Sequence, residues 1–161
     1  MSIKIANNFL ERDLFNKIKK EINFVPWQYR NSTADNQDTS NFLFFHSIFE
    51  NEKVVSDKYF SRILIPILGN LNFKFLLRAK LNMYVKYSEH IKTGLHTDTD
   101  ILHHVCLYSL NTNNGYTEFE NGEKIPSIEN TMTLFPGNLR HRSVNQTDSN
   151  TRVNLNINVI L

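Results

Sequence analysis

The chain has 161 residues, 18 of them Lys or Arg and 16 Asp or Glu, for a formal net charge of +2. That length suits a single domain spanning residues 1–161, and a 40% hydrophobic content with 12 Phe and 6 Tyr is ample for one core. The lone cysteine, Cys106, excludes an internal disulfide and a cysteine-based zinc site, while the mildly basic balance neither demands nor excludes a nucleic-acid partner. The N-terminus lacks the apolar stretch of a signal peptide and no run reaches membrane-spanning length, so a soluble, cytoplasmic protein with no membrane contact is expected.

Residues 11–22 carry Leu14, Phe15, Ile18 and Ile22 at helical spacing and predict an amphipathic helix, with Lys17, Lys19 and Lys20 on its solvated face. Residues 25–29 and 42–46 predict strands, and the polar stretch 31–41 between them predicts a mobile loop or a substrate lid. A second helix is predicted over 57–68, stopped by Gly69-Asn70, with its last turn distorted by Pro66. From residue 73 onward, strands are predicted at 75–87, 101–110, 116–120, 131–135, 141–145 and 151–160. Turns are predicted at Asn113-Asn114-Gly115 and at Pro136-Gly137-Asn138. The last strand alternates strictly, so Val153, Leu155, Ile157 and Val159 face one way and Arg152, Asn154, Asn156 and Asn158 the other. The expected fold is mainly β with N-terminal helices: a double-stranded β-helix (a cupin-like jelly roll), with residues 1–72 as a helical and aromatic support and 73–161 as the β-rich core. An immunoglobulin-like sandwich is the alternative, and it gives no reason for the polar residues that follow.

His96 and Asp98 are two apart, so in an extended segment both side chains leave one face. Two imidazoles and a carboxylate hold one face of an iron(II) ion and leave the other open, and His141, just past the 136–138 turn, is the natural third ligand. Arg152, eleven residues further on, offers a fixed positive charge; if buried, it needs an anionic partner, and a co-substrate carboxylate held bidentately satisfies it. The remaining histidines have plainer readings. His103 and His104 are neighbours on a strand and cannot both be ligands, with His103 on the inward parity as a core histidine; His46 is a candidate to face substrate and His90 sits in a loop. Cys106, flanked by Val105 and Leu107, reads as a buried strand thiol.

These residues resemble the iron(II)- and 2-oxoglutarate-dependent oxygenases, in particular the prolyl-hydroxylase-like branch. The resemblance runs from the segment 87–98 through Leu107-Tyr108-Ser109-Leu110-Asn111, 115–119 and 134–141 to Arg152. It covers roughly residues 75–160 and extends more loosely to small phage-encoded members, which implies the host cytoplasm for a phage-encoded chain. The resemblance implies iron held by His96, Asp98 and His141. It also implies that 2-oxoglutarate is consumed with O2 to give succinate and CO2, with ascorbate as accessory reductant. Arg152 would take the 5-carboxylate. Tyr87, nine residues before His96, matches a tyrosine that hydrogen-bonds the co-substrate, while Ser109 stands where several prolyl hydroxylases carry a tyrosine and completes the carboxylate pocket differently. Asp98 favours hydroxylation, since halogenating relatives replace this carboxylate with a small residue.

For the prime substrate, the resemblance and the aromatics Trp27, Tyr29, Phe42, Phe44 and Phe45 favour a peptide or protein, oxidised at a prolyl or other side chain. Nucleic-acid demethylation or hydroxylation stays open. The run from Arg152 to Asn156 resembles the Arg-x-Asn-x-Thr of alkylation-repair oxygenases and marks Asn154 as a co-substrate contact, but Asn158 stands where that motif carries a second arginine. A catalytically inactive jelly-roll binding module is the third reading, and it has no need of all four residues.

Overall fold

The computed structural model describes residues 2–33 and 41–161, so most of the segment 31–41 read above as a loop or lid lies outside the described residues. The elements, in order, are β1 (Lys4–Asn7), α1 (Arg12–Glu21), a 3-10 turn (Ile22–Phe24), β2 (Gln28–Arg30), β3 (Leu43–Glu50) and β4 (Lys53–Val54). There follow α2 (Asp57–Tyr59), a π-helical turn (Phe60–Leu64) and α3 (Ile65–Leu68). The chain ends with β5 (Phe75–Val85), β6 (His104–Ser109), β7 (Asn113–Phe119), β8 (Lys124–Ser127), β9 (Thr131–Pro136), β10 (His141–Val144) and β11 (Thr151–Ile160). One sheet has the order β1-β9-β6-β11-β5-β3-β2, with β4 on β3; a second, smaller sheet has the order β10-β7-β8. Every pairing is antiparallel.

The helices form where the apolar spacing requires them. In α1, Glu11 caps the N-terminus by accepting from the Asp13 N–H, Lys19 and Lys20 complement the dipole of the last turn, and Phe15 and Ile18 are buried. The segment 57–68 is helical but not one regular α-helix. Its π turn, closed by the Ile65 N–H on the Phe60 carbonyl, lies immediately before Pro66, whose ring would strike the carbonyl four residues back in an unbroken α-helix. Both helical segments cover the outer face of the large sheet, where Phe15, Ile18, Ile63 and Ile67 meet Leu81, Tyr108, Leu155 and Ile157.

The inner face of that sheet meets the small sheet, and here the alternation of β11 decides the architecture. Val153, Leu155, Ile157 and Val159 point to the helices, while Arg152, Asn154, Asn156 and Asn158 point inward, and all eight are buried. A second, smaller apolar cluster of Val105, Phe119, Ile125 and Phe135 closes one end of the space between the sheets.

Three strands differ from the sequence expectation. β1 is a fully exposed edge strand with no alternation to betray it. β4 is two residues long, and β8 carries Pro126, which is tolerated because β8 is an edge. Asn113-Asn114-Gly115 opens β7 instead of ending a strand, and residues 101–103 precede β6, leaving Ile101 and Leu102 exposed. Among the described residues, no helix is long and apolar enough to cross a membrane.

Beyond the pairing of β1 with β9, one buried side chain fastens the N-terminal segment. Asn130, buried and at φ 56°, accepts from the Leu10 N–H (3.0 Å) and the Tyr108 hydroxyl (2.6 Å) and donates to the Leu10 carbonyl (2.9 Å). Asn130→Ala leaves three buried polar groups without partners, each costing about 1–3 kcal/mol, so urea denaturation is expected to show a loss of roughly 3 kcal/mol or more. Asn130→Gly removes the backbone strain of the substitution and isolates the hydrogen bonds. A midpoint equal to the parent's in both variants rules this clamp out as a stabilising feature.

Candidate metal and co-substrate site

His96 and His141 are brought together by the backbone. Each donates its N–H to the other's carbonyl at 3.0 Å, so the two residues form a hydrogen-bonded antiparallel pair and their rings share one face, 4.8 Å apart between centroids. Asp98, two residues on, shares that face, with its Oδ1 4.0 Å from His96 Nε2. Ligand atoms of all three lie within 4.8 Å of one another. The Nδ1 of His96 lies 3.1 Å from the Gly94 carbonyl and the Nδ1 of His141 lies 3.2 Å from the Leu139 carbonyl. A carbonyl only accepts, so each Nδ1 carries the hydrogen and each Nε2 presents a lone pair, the tautomer a metal ligand needs.

Electrostatics prepare the same donor set. Burial lowers the proton affinity of His141 and outweighs the opposing pull of Asp98, which favours the neutral ring. Burial opposes the charge of Asp98, yet the Arg78 guanidinium, His141 and the amides of Asn158 and Asn156 together hold its carboxyl well below the usual range. Arg78 Nη2 lies 3.0 Å from Oδ1, while the Nδ2 groups of Asn156 and Asn158 each donate to Oδ2 at 2.9 Å. Two imidazoles and an ionised carboxylate fit a divalent first-row metal such as iron(II).

Arg152 lines the same cleft, as the second residue of β11 and on its inward face. It is 3% exposed, donates to Ser127 Oγ (2.6 Å), Thr117 Oγ1 (3.0 Å) and Ser143 Oγ, and lies over the Tyr84 ring, 5.3 Å from its centroid. Gly115 makes room for it: a Cβ there would stand 3.0 Å from Arg152 Cδ. Three hydroxyls orient the guanidinium, but no carboxylate among the described residues neutralises it. Asn154 lines the same cleft, its Oδ1 accepting from Asn82 Nδ2 at 3.1 Å.

Other expected residues stand elsewhere. Tyr87 is not in the cleft; it packs on Phe42 (6.5 Å between centroids) on the outer side of the sheet. The tyrosine beside Arg152 is Tyr84, its register partner across β5 and β11. Ser109 faces Asn154 across the strands but does not line the cleft. His46 turns away from the site: its Nδ1 meets the Pro26 carbonyl at 3.2 Å and its ring packs on Tyr59. Tyr29, Phe42 and Phe44 cluster on that outer side too, and Trp27 packs on the helical core; of the five aromatics singled out in the sequence, Phe45 alone shares the inward face. His103 is a core histidine whose ring sits against Gly137, where any Cβ would collide with it. Cys106 is buried, and burial pushes its thiol up to about 12, so it is no nucleophile.

The sequence reading missed the inward row of β5: Arg78, Lys80, Asn82 and Tyr84. Its signal was an alternation as regular as that of β11, with Ala79, Leu81 and Met83 between. Burial, with Arg78 beside it, pulls the Lys80 ammonium down to about 8 from 10.5. Below about 8 the lysine is protonated in both folded and unfolded chains and the folded state bears the full penalty. Between there and 10.5 the folded state alone releases its proton and the penalty fades. Lys80→Met is therefore expected to raise the Tm of the apoprotein at pH 7, with a smaller gain at pH 10; paired thermal melts check this, and a loss of stability at pH 7 contradicts it.

No family model matches the chain, and no curated protein matches it in sequence. Its fold does match solved structures. A Pseudomonas putida prolyl-4-hydroxylase is similar at a TM-score of 0.65 and 13% identity, covering 99% of this chain and 92% of that one. A 2OG-Fe(II) oxygenase-family oxidoreductase from Burkholderia pseudomallei matches at a TM-score of 0.73 and 14% identity, covering 97% and 84%. A Trichoplax adhaerens prolyl hydroxylase, solved with a peptide fragment of the hypoxia inducible factor oxygen degradation domain, matches at a TM-score of 0.65 and 16% identity, covering 98% and 83%. The chain thus has the fold of the 2OG-Fe(II) oxygenases, prolyl hydroxylases among them, with a His-Asp-His cluster inside it.

Proposed function

We propose that the protein is an Fe(II)- and 2-oxoglutarate-dependent dioxygenase that hydroxylates a prolyl or other peptidyl side chain. The observation that carries this reading is the pairing, in one cleft, of the His96-Asp98-His141 donor set with a buried arginine that no carboxylate among the described residues neutralises. His96 and His141 would hold iron(II) through Nε2 and Asp98 through its carboxylate. Bound there, iron(II) supplies O2 activation coupled to decarboxylation of 2-oxoglutarate to succinate and CO2, which delivers a hydroxyl group to the substrate.

The chain's own residues bind, orient and exclude. Arg152 receives the far carboxylate of the co-substrate, with Thr117, Ser127 and Ser143 fixing the guanidinium so that little order is lost on binding. Asn154 and Asn82, hydrogen-bonded to each other beside that path, offer polar contacts along it. Arg78, Asn156 and Asn158 hold the Asp98 carboxylate in one orientation. Phe119 and Phe135 pack against the His141 ring and keep water from its far side. A peptide substrate is favoured by the likeness to the Trichoplax enzyme solved with a peptide. We place the reaction in the cytoplasm, that of the host where the chain is phage-encoded, with ascorbate as the accessory reductant.

Anaerobic titration with iron(II) and 2-oxoglutarate tests the site without knowledge of the prime substrate. A visible charge-transfer band of the chelate is expected, absent in His96→Ala. In Arg152→Ala, the loss of two charge-assisted hydrogen bonds weakens 2-oxoglutarate about a hundredfold or more. Asp98→Ala is expected to abolish 2-oxoglutarate turnover while circular dichroism shows the fold intact. Absence of the band in folded wild-type protein would falsify the oxygenase reading and bring forward the inactive binding module.

A further inference from the structure

Three cationic side chains line the cleft: Arg142, Arg152 and Lys80. Arg142 is paired, its Nε lying 2.6 Å from Glu118 Oε2. Arg152 is assigned above to the co-substrate. Lys80 remains. It stands on β5 opposite Asn156 of β11 and Ser47 of β3, on the inward face, at the level of the residues that hold Asp98. Its ammonium lies 5.8 Å from the Phe45 ring centroid and makes no hydrogen bond or ion pair with any described residue. Arg78, two residues back, is committed to Asp98 at 3.0 Å and does not compete for a ligand. Leu43, on the same inward face of β3 as Phe45, adds an apolar side chain to the lining of that cleft.

A half-buried ammonium that no carboxylate among the described residues pairs with directly is a costly group to keep, as its depressed proton affinity records. Its environment specifies what would complete it. We propose, resting on the oxygenase reading above, that Lys80 selects the prime substrate by receiving one carboxylate, from an Asp or Glu side chain adjoining the peptide residue to be hydroxylated. One ammonium suits one such anion. A nucleic-acid backbone requires a track of several cations, whereas this one is flanked by Asp98 and Glu50, whose fields reach it, on a chain whose formal net charge is only +2. Phe45 beside it, and Leu43 elsewhere in the cleft lining, suit the aliphatic part of a peptide side chain.

The test is an array of capped peptides in Glu/Gln pairs, differing only at positions flanking a central residue, probed with wild type, Lys80→Met and Lys80→Arg. Each protein is used both apo and loaded anaerobically with iron(II) and 2-oxoglutarate. Wild type is expected to favour the Glu members by about tenfold, the equivalent of one charge-assisted contact. Lys80→Met loses that preference and Lys80→Arg keeps it, while the chelate band and 2-oxoglutarate affinity stay the same in all three. An absent Glu preference, or one that survives in Lys80→Met, overturns the proposal. So does weakened 2-oxoglutarate binding in Lys80→Met, which moves Lys80 to the co-substrate, and so does tighter binding of a methylated single-stranded oligonucleotide than of any acidic peptide. If the chelate band is missing in wild type, the oxygenase reading fails by itself, and the apo array still scores Lys80.

Discussion

A strand buried on both faces needs partners for the polar groups it carries inward, and β11 carries four polar side chains into the space between the sheets. Their partners account for much of the site. Arg152 is met by hydroxyls from all three strands of the small sheet, which ties the two sheets together. Asn154 is met by Asn82 of β5. Asn156 and Asn158 send their amide hydrogens to Asp98, and their carbonyl oxygens remain buried without a partner among the described residues. The carboxylate on which metal binding would depend is thus positioned by the strand that also carries Arg152. A register slip of one residue in β11 would exchange this whole polar row for Val153, Leu155, Ile157 and Val159.

The charges around the cleft are unbalanced in one direction. Asp98 is matched by Arg78, Arg142 by Glu118, and beyond those pairs stand Arg152 and Lys80 with no carboxylate of their own among the described residues. A divalent cation on the triad increases the surplus. A dianionic co-substrate reduces it, and a substrate carboxylate at Lys80 reduces it further.

The features legible in the sequence were those with a local period. The α1 stripe, the alternation of β11 and the spacing of His96 and Asp98 each follow from the geometry of one segment, and the structure brings His96, Asp98, His141 and Arg152 into one cleft. What sequence reading misplaced depended on pairing between distant segments. Tyr84 adjoins Arg152 because β5 and β11 align in one register, and nothing in the segment from 84 to 87 announces which tyrosine that register will choose. The same alignment puts Arg78 opposite Asn158. The position where an alkylation-repair motif carries its second arginine therefore supplies an amide to Asp98, while a guanidinium arrives from the neighbouring strand. Asn130 escaped notice for a similar reason. Its φ of 56° and its three buried hydrogen bonds have meaning only once β9, β6 and the N-terminal segment are side by side.

Burial alone does not mark a functional residue here. His46, Cys106 and His141 are all buried, and burial shifts the titration of all three toward the uncharged form. His46 and Cys106 lie on the helical side of the large sheet, where their neighbours are apolar side chains or a ring and where a neutral group is all that packing requires. His141 lies on the other side, with apolar Phe119 and Phe135 behind its ring and His96 and Asp98 in front. The apolar wall keeps the ring neutral, and the Leu139 carbonyl fixes which nitrogen carries the hydrogen, so the lone pair is directed at the other two donors. The same desolvation that makes Cys106 inert suits His141 to be a ligand, and the difference lies in what each side chain meets where it emerges.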